Sequence, residues 1–476
     1  MGIFKACDIR GTYGEDLDGR VACAIGRAAG AEIGARSVVV GGDVRPSTPE
    51  LMHEMIRGLV SSGCSVIDIG ICPTPVLYFA KEHLGAYAGI MVTASHNPAK
   101  YNGAKLMFGE MPITPEDIQR VERRIAEQDF ISGSGKVERR DVLADYEEHL
   151  RRLLGADLAV RRLRIVVDAG NGCYSEMAPR FLASQGFEVV PLFCTPDGRF
   201  PNHEPNPAIR ANLEKASAAV RQHKAALGVV FDGDGDRVAF IDETGEPVGP
   251  DTMIVILAEA ILRDPALRTM QTGAQPPSAV PSFCKDRPKI VYDINVSMVL
   301  REAVERAGGT ALMEKSGHAF MKRRMLEETA VFGGEMSGHF FYRGLHGGDD
   351  GLYTACLVAK MLLAKAKEPL SAMAARVPQY AITPAVRITC NAEEQRRILA
   401  ALLKHHQGTR PVSQLDGVRA EFAAGWALAR MSVTEPVISM RFEGRTEADL
   451  RRIIEEFLRP VPELLAPTLE RLPKQK

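Results

Sequence analysis

The chain of 476 residues has no surplus of either charge: 59 lysines and arginines stand against 60 aspartates and glutamates. It therefore lacks the basic excess that drives non-specific binding to nucleic acid, and no nucleic-acid partner is expected. It also lacks a long apolar run. The longest, near 252–262, is interrupted by Glu259 and is too short to span a bilayer, so no membrane partner is expected. The first eleven residues hold no apolar leader core, and Ala6 stands where a myristoylation motif needs Ser or Thr. The nine cysteines are scattered and odd in number, with no C-x-x-C pair. That excludes a zinc ribbon and a disulfide framework and predicts a cytoplasmic, reducing setting. The sequence assigns no oligomeric state.

What is present is an ordinary globular composition, 45% hydrophobic and 25% charged, over a length that suits three or four domains. A repeat in pattern organises most of it. Ser37–Asp43, Arg164–Gly170 and Lys289–Asn295 each read as a buried strand running into a Gly, Asp or Asn turn. A helical stretch follows each: Pro49–Ser61, Ser175–Ser184 and Ser297–Ala307. Second strands follow at Ser65–Ile69, Phe187–Leu192 and Thr310–Met313, and third strands at Gly89–Val92, Leu227–Phe231 and Ala330–Phe332. Continuous apolar strands alternating with helices predict parallel sheets covered on both faces. The fold class is α/β: three tandem βαβαβ-type domains with mixed, mostly parallel sheets, then a C-terminal α+β domain, around a central cleft. The expected domains are 1–145, 146–248, 249–377 and 378–476. Asp264–Arg287, rich in Pro, Ser and Gly, is expected to be a surface insertion, and the tail Pro462–Lys476 to be loosely held.

The third strands run into three unusual loops: Thr93–Pro98 (TASHNP), Asp232–Arg237 (DGDGDR) and Gly334–His339 (GEMSGH). Ligands of such sheets bind beyond the carboxyl ends of the strands, so the loops are expected to share one cleft. Alternating glycines let Asp232, Asp234 and Asp236 face one point, an oxygen-only set suited to Mg²⁺. An EF-hand loop competes, with Glu243 at its twelfth position. However, Arg237 occupies the place that demands Gly, and the flanks read as strands. Ser95 beside His96 lacks a nucleophile elbow and, taken alone, would cap a following helix. Opposite a metal loop, a hydroxyl is what phosphoryl transfer requires. Glu335 and Ser337 are expected to point the same way in extended backbone and to hold vicinal hydroxyls of a sugar. Arg430, Ser432 and Thr434 alternate similarly and offer a phosphate site. The single Trp426 is expected to serve packing.

These loops, in this order, resemble the α-D-phosphohexomutase superfamily, and more narrowly its bacterial phosphomannomutase/phosphoglucomutase branch. The likeness runs from Phe4–Gly11 through Asp197–His203 and Lys315–His318 to Arg430–Pro436. It implies four domains around a cleft and an isomerase that interconverts hexose 1-phosphate and 6-phosphate. Ser95 would carry a phosphoryl group and, with Asp232, Asp234 and Asp236, hold Mg²⁺. A glucose or mannose 1,6-bisphosphate would be both intermediate and activator. By match, Arg10, His96, Lys105 and Arg237 would surround the phosphoserine and assist proton movement. Gly317, His318 and His339 would line the sugar side, Glu335 and Ser337 would bind sugar hydroxyls, and Arg430, Ser432 and Thr434 the distal phosphate. Met336 resembles the dual mannose/glucose enzymes, since glucosamine mutases usually carry Gln there. The chain departs from the pattern at Cys7, at Asn295 in place of a substrate-contacting Lys, and at Val433. A glucosamine-phosphate or other hexose-phosphate mutase, or a sugar-phosphate-binding protein with little turnover, are the competing readings.

Overall fold

A computed structural model describes residues 2–155, 163–272, 287–364, 368–431 and 436–472. Three of its four sheets are built on one plan. In each, a buried strand lies between two parallel neighbours. Ser37–Gly42 sits between Ser65–Ile71 and Ala88–Val92. Arg164–Asp168 sits between Glu188–Leu192 and Leu227–Phe231. Lys289–Asp293 sits between Thr310–Glu314 and Phe332–Gly334. The central strands are Val- and Ile-rich because both faces are covered: Val38, Val39 and Val40 are all fully buried.

The sheets are mixed for one shared reason. Each third strand turns back into an antiparallel partner: Ala88–Val92 into Tyr101–Phe108, Leu227–Phe231 into Val238–Ile241, and Phe332–Gly334 into Phe340–Tyr342. The three polar loops are thus hairpin connections. In the first sheet Ile9–Thr12 adds a further antiparallel strand, with Arg10 directly opposite Gly103. A Cβ at Gly103 would run into the carbonyl of Ile9, so glycine is what lets these strands meet.

One continuous apolar core joins the three units. It holds Val76 and Leu77 of the first, Phe231 and Phe240 of the second, and Phe332 and Phe340 of the third, with the helix Gly351–Ala364 buried along nearly its whole length. The fourth sheet is antiparallel, in the order Ala381–Ile382, Val437–Gly444, Gly425–Met431, Val418–Phe422, Val412–Ser413, with Val386–Thr389 also on Val437–Gly444. Helices Ala392–His406 and Glu447–Phe457 cover it and give it a core of its own. Trp426 is fully buried against Ile294 and Met298 of the third unit, in the packing role expected of it.

Several expectations change. The Asp264–Arg287 segment begins as a helix, Pro265–Thr272, that buries Leu267 and Gln271; residues 273–286 lie outside the described residues. The tail is held through residue 472: Pro462–Leu464 and Leu465–Leu469 are short helices, and Leu464 and Thr468 are buried. Leu143–Leu154 is one helix running across the expected 145/146 boundary. Among the described residues, no helix is long and apolar enough to cross a membrane.

Candidate functional site

Ser95 follows the strand Ala88–Val92 in the left-handed region, φ 49°, a conformation that costs a non-glycine residue and persists only when its surroundings enforce it. Here they do. The Ser95 amide donates to Thr93 Oγ1 at 2.8 Å, and Thr93 donates to Asp43 at 2.7 Å. Arg45, fully buried and paired with Asp43 at 2.9 Å, donates to the carbonyls of Ser95 and Pro98 at 2.7 Å each. Asp43 and Arg45 lie past the first strand, in the turn Asp43–Ser47, and their role was invisible without the loop they grip. No helix follows Ser95. The next element is the strand Tyr101–Phe108, so Ser95 is not a helix cap.

The Ser95 hydroxyl donates to Asp232 Oδ2 at 2.9 Å, across 137 positions of sequence. Asp232 Oδ1 in turn accepts from the amides of Gly235 and Arg237, at 2.9 and 3.2 Å. Gly235 has φ 82° and lies against the ring of Tyr174, so a side chain there would break the loop. Asp234 accepts from Thr74 Oγ1 at 2.6 Å and from Lys105 Nζ at 2.7 Å, and Lys105 also pairs with Asp236. Burial opposes charge on all three aspartates. Lys105 nevertheless holds Asp234 well below the usual carboxylate range, while burial and the adjacent carboxylates push Asp232 and Asp236 up. Lys105 faces Asp234 and Asp236, Arg237 lies 3.8 Å from Asp232, and Asp234 Oδ1 and Asp236 Oδ1 are buried without a hydrogen-bond partner. An oxygen-only set with two orphaned buried oxygens fits a hard divalent cation. Glu243, the twelfth position of the rejected EF-hand, instead accepts from the Ser371 amide at 3.3 Å.

Cationic and imidazole groups ring this centre. Arg10 donates to Asn97 Oδ1 at 2.9 Å and to Asp8 at 2.6 Å. His96 Nδ1 lies 3.4 Å from the Ser95 hydroxyl. The Arg237 charge, then burial and Arg10, hold His96 far below the ordinary imidazole range, so it is neutral at pH 7. His339 Nε2 accepts from Arg237 Nε at 2.9 Å, and its Nδ1 donates to Asp349 at 2.6 Å. Those bonds assign a neutral imidazole. Burial disfavours protonating it, but the carboxylates of Asp236 and Asp349 outweigh that and raise its affinity for a proton. Asp349 was not foreseen, because it lies in the two-residue strand Gly348–Asp349, paired with Phe341, and carries no motif of its own.

Glu335 and Ser337 do come together, Ser337 Oγ donating to Glu335 at 3.2 Å, but the extended backbone expected there is wrong. The Gly338 amide donates to the Glu335 carbonyl at 3.0 Å, closing a tight turn at the hairpin tip. The Gly317 amide also donates to Glu335, so the 315–318 loop and the sugar loop are tied. Gly317 adopts φ 129° at the head of the helix His318–Glu327. The His318 and His339 rings are 6.4 Å apart, and burial followed by Lys105 brings His318 down to about 4. Asn295, where a Lys is usual, braces the same region: its side chain donates to Asp293 at 2.9 Å and to Ser316 at 2.8 Å. Arg430 pairs with Asp416 at 3.0 Å, away from any described site residue. Ser432, Val433 and Thr434 lie outside the described residues.

A constrained serine on a metal-suited carboxylate loop, with arginines, a lysine and neutral imidazoles around it, defines a phosphoryl-transfer enzyme of the phosphomutase class. The comparisons make that specific. Four family models match in succession: phosphoglucomutase/phosphomannomutase alpha/beta/alpha domain I at residues 1–132, domain II at 144–245, domain III at 250–380, and the C-terminal domain at 386–459. A Pseudomonas putida protein named phosphomannomutase/phosphoglucomutase is 38% identical over 98% of this chain and 97% of its own. A Neisseria gonorrhoeae phosphoglucomutase is 36% identical over 96% and 95%. A crystal structure of a phosphoglucomutase/phosphomannomutase family protein from Burkholderia thailandensis superposes with a TM-score of 0.85 at 36% identity, covering 97% of each chain. The chain belongs to the phosphoglucomutase/phosphomannomutase family.

Proposed function

We propose that the chain interconverts the 1-phosphate and 6-phosphate of mannose, glucose or both, through a phosphoserine at Ser95 and a hexose 1,6-bisphosphate that turns round in the cleft. The bisphosphate also serves as activator by reloading Ser95. The observation that carries this reading is the 2.9 Å contact of the Ser95 hydroxyl with Asp232, inside a three-carboxylate cluster with two unpartnered oxygens.

Ser95 Oγ carries the phosphoryl group. A hydroxyl of the bound hexose monophosphate attacks phosphorus, its new O–P bond forming as the Ser95 Oγ–P bond breaks. The hydroxyl proton passes to His339 Nε2 once Arg237 turns to the phosphoryl oxygens. Asp349 holds the opposite ring N–H and stabilises the imidazolium that results. Arg10, Lys105 and Arg237 neutralise charge as it shifts between the two oxygens. The Ser95 Oγ leaves with the electron pair as an alkoxide, neutral His96 close by through Nδ1. It stays the nucleophile for the return step, in which His339 gives its proton back to the departing sugar oxygen. Ser95, Asp232, Asp234 and Asp236 are the residues that would hold Mg²⁺, which supplies Lewis-acid neutralisation of the transferring group. Glu335 and Ser337 take sugar hydroxyls, Gly317 and His318 border the ring, and Arg430, Ser432 and Thr434 grip the distal phosphate. After the bisphosphate turns, the same steps run in reverse and return the other phosphate to Ser95. The four-domain division and a cytoplasmic setting belong to the same reading.

A coupled assay with mannose 1-phosphate, glucose 1-phosphate and glucosamine 1-phosphate, with bisphosphate activator, tests it. Turnover of the first two is expected. Preference for glucosamine 1-phosphate, or binding without turnover, would replace the proposal with one of its competitors.

A further inference from the structure

A cavity of about 260 Å³ opens where the helices Thr74–His83 and Leu143–Leu154 meet the turn at 345–350. None of the residues 93–98 or 232–237 lines it. Its charged groups fall into two sets. The carboxylates are answered within the protein. Asp349 accepts from His339 at 2.6 Å. Asp350 accepts from the hydroxyls of Tyr146 and Tyr174, at 2.6 and 3.0 Å, and from the Tyr353 amide at 2.9 Å. Glu82 pairs with Lys81 at 2.8 Å.

The basic groups are less fully answered. Among the described residues, the side chains of Arg152, His149 and His346 make no hydrogen bond or ion pair, although all three line the cavity; the His149 ring lies 5.1 Å from that of Phe79, and the charge of His346 acts on Glu82. His83, also on the wall, lies 3.5 Å from Asp145. Burial, followed by the charges of Arg152, His346 and His83, holds His149 down to about 4. Beside these groups, Tyr78 and Phe79 form an aromatic wall.

We propose that this cavity is a second, regulatory site for a phosphate monoester. The phosphate would sit among Arg152, His149 and His346, and its small organic body would lie against Tyr78 and Phe79. A guanidinium and two imidazoles without hydrogen-bond partners are phosphate-binding chemistry, and each carboxylate nearby already accepts hydrogen bonds or an ion pair within the protein. The site is coupled to the reaction because Asp349, on its floor, also fixes His339. That coupling rests on the catalytic reading above; the binding does not.

The test is calorimetric titration of the full chain, at constant ionic strength, with inorganic phosphate and separately with glycerol 2-phosphate. Wild type, Arg152→Gln and His149→Gln are compared, with circular dichroism to confirm the fold, and Arg152→Lys keeps the charge. Wild type should show a binding event that Arg152→Gln weakens by about tenfold or more, the range for a lost charged hydrogen bond. Arg152→Lys should recover part of it. Tighter binding of glycerol 2-phosphate marks an ester site, and equal binding marks free phosphate. Turnover without added anion should be unchanged by Arg152→Gln, while the response of kcat to added anion, which competition at the catalytic site leaves untouched, should vanish. Isotherms identical in all variants would overturn the site. Binding lost in Arg152→Gln with no anion effect on wild-type turnover would overturn its regulatory role alone.

Discussion

At the scale of single residues, the site turns on one hydroxyl and the carboxylates that face it. Ser95 has no substitute for the hydroxyl it carries, so Ser95→Ala should cut turnover by at least about a thousandfold. Peptide mass spectrometry should find phosphate on Ser95 in the wild type and none in the variant. Retained activity in Ser95→Ala would end the assignment. The carboxylate cluster predicts a metal requirement: chelation should abolish turnover, Mg²⁺ should restore it, and Asp234→Asn should lose most of it. A rate untouched by chelation would remove the metal from the account. His203 gives a pH test of stability. Its Nε2 lies 3.2 Å from both oxygens of buried Asp168, and although burial opposes protonation, the Asp168 hydrogen bond and charge raise its pKa. A raised folded value contributes stability in full below the unfolded value of about 6.5 and loses it as pH climbs through the folded one. Denaturant melts of His203→Gln should therefore fall short of wild type by about 1.5–3 kcal/mol near pH 5.5, with the gap closing as pH rises above the unfolded value of about 6.5 and through the raised folded one.

At the scale of elements, hairpins explain what was legible and what was not. The parallel strands could be read directly, since runs such as Val38–Val40 and Val229–Phe231 are apolar on both faces. The return strands were harder. Val238–Ile241 was recognisable beside the acidic loop, but Ile9–Thr12 is four residues long with alternating burial, and only its place against Tyr101–Phe108 makes it a strand. Loop residues with chemistry were visible as motifs; their supports, Asp43, Arg45, Thr74 and Asp349, were not. Each support acts across a fold that no local pattern encodes. The strand pair that carries Arg10 offers a direct test. Gly103→Ala would force Ile9–Thr12 away, at a cost of about 1–3 kcal/mol in a thermal melt. Because Arg10 lies opposite Gly103, turnover should also drop, by roughly tenfold if a charged contact is lost. An unchanged melting temperature would mean that the strands can separate freely.

At the scale of the whole molecule, the first three units share a core while the fourth is attached through the apolar cluster of Trp426, Leu428, Ile294 and Met298 and a polar latch beside it. Buried Glu443 accepts from Ser297, from the Met298 amide at 2.8 Å and from Trp426. Arg441 reaches the Asn295 carbonyl at 2.6 Å and Asp251 at 3.2 Å. Trp426 and Arg430 share one strand, so the latch sets where Arg430, a proposed phosphate ligand, stands. Glu443→Ala strands three buried donors, each worth about 1–3 kcal/mol. It should lower stability and raise KM for the hexose phosphate more than it lowers kcat; a normal KM would show that the fourth unit is held by its apolar contacts alone. The span between Ser95 and Asp232 has a further consequence, for a chain still being made. At about 5–20 residues per second, the ribosome needs on the order of ten seconds to add the 137 residues between them. Throughout that time the serine loop can already be shaped by Asp43 and Arg45, both behind it in synthesis. The proposed nucleophile therefore takes its shape in the nascent first domain before the carboxylates that face it have been made.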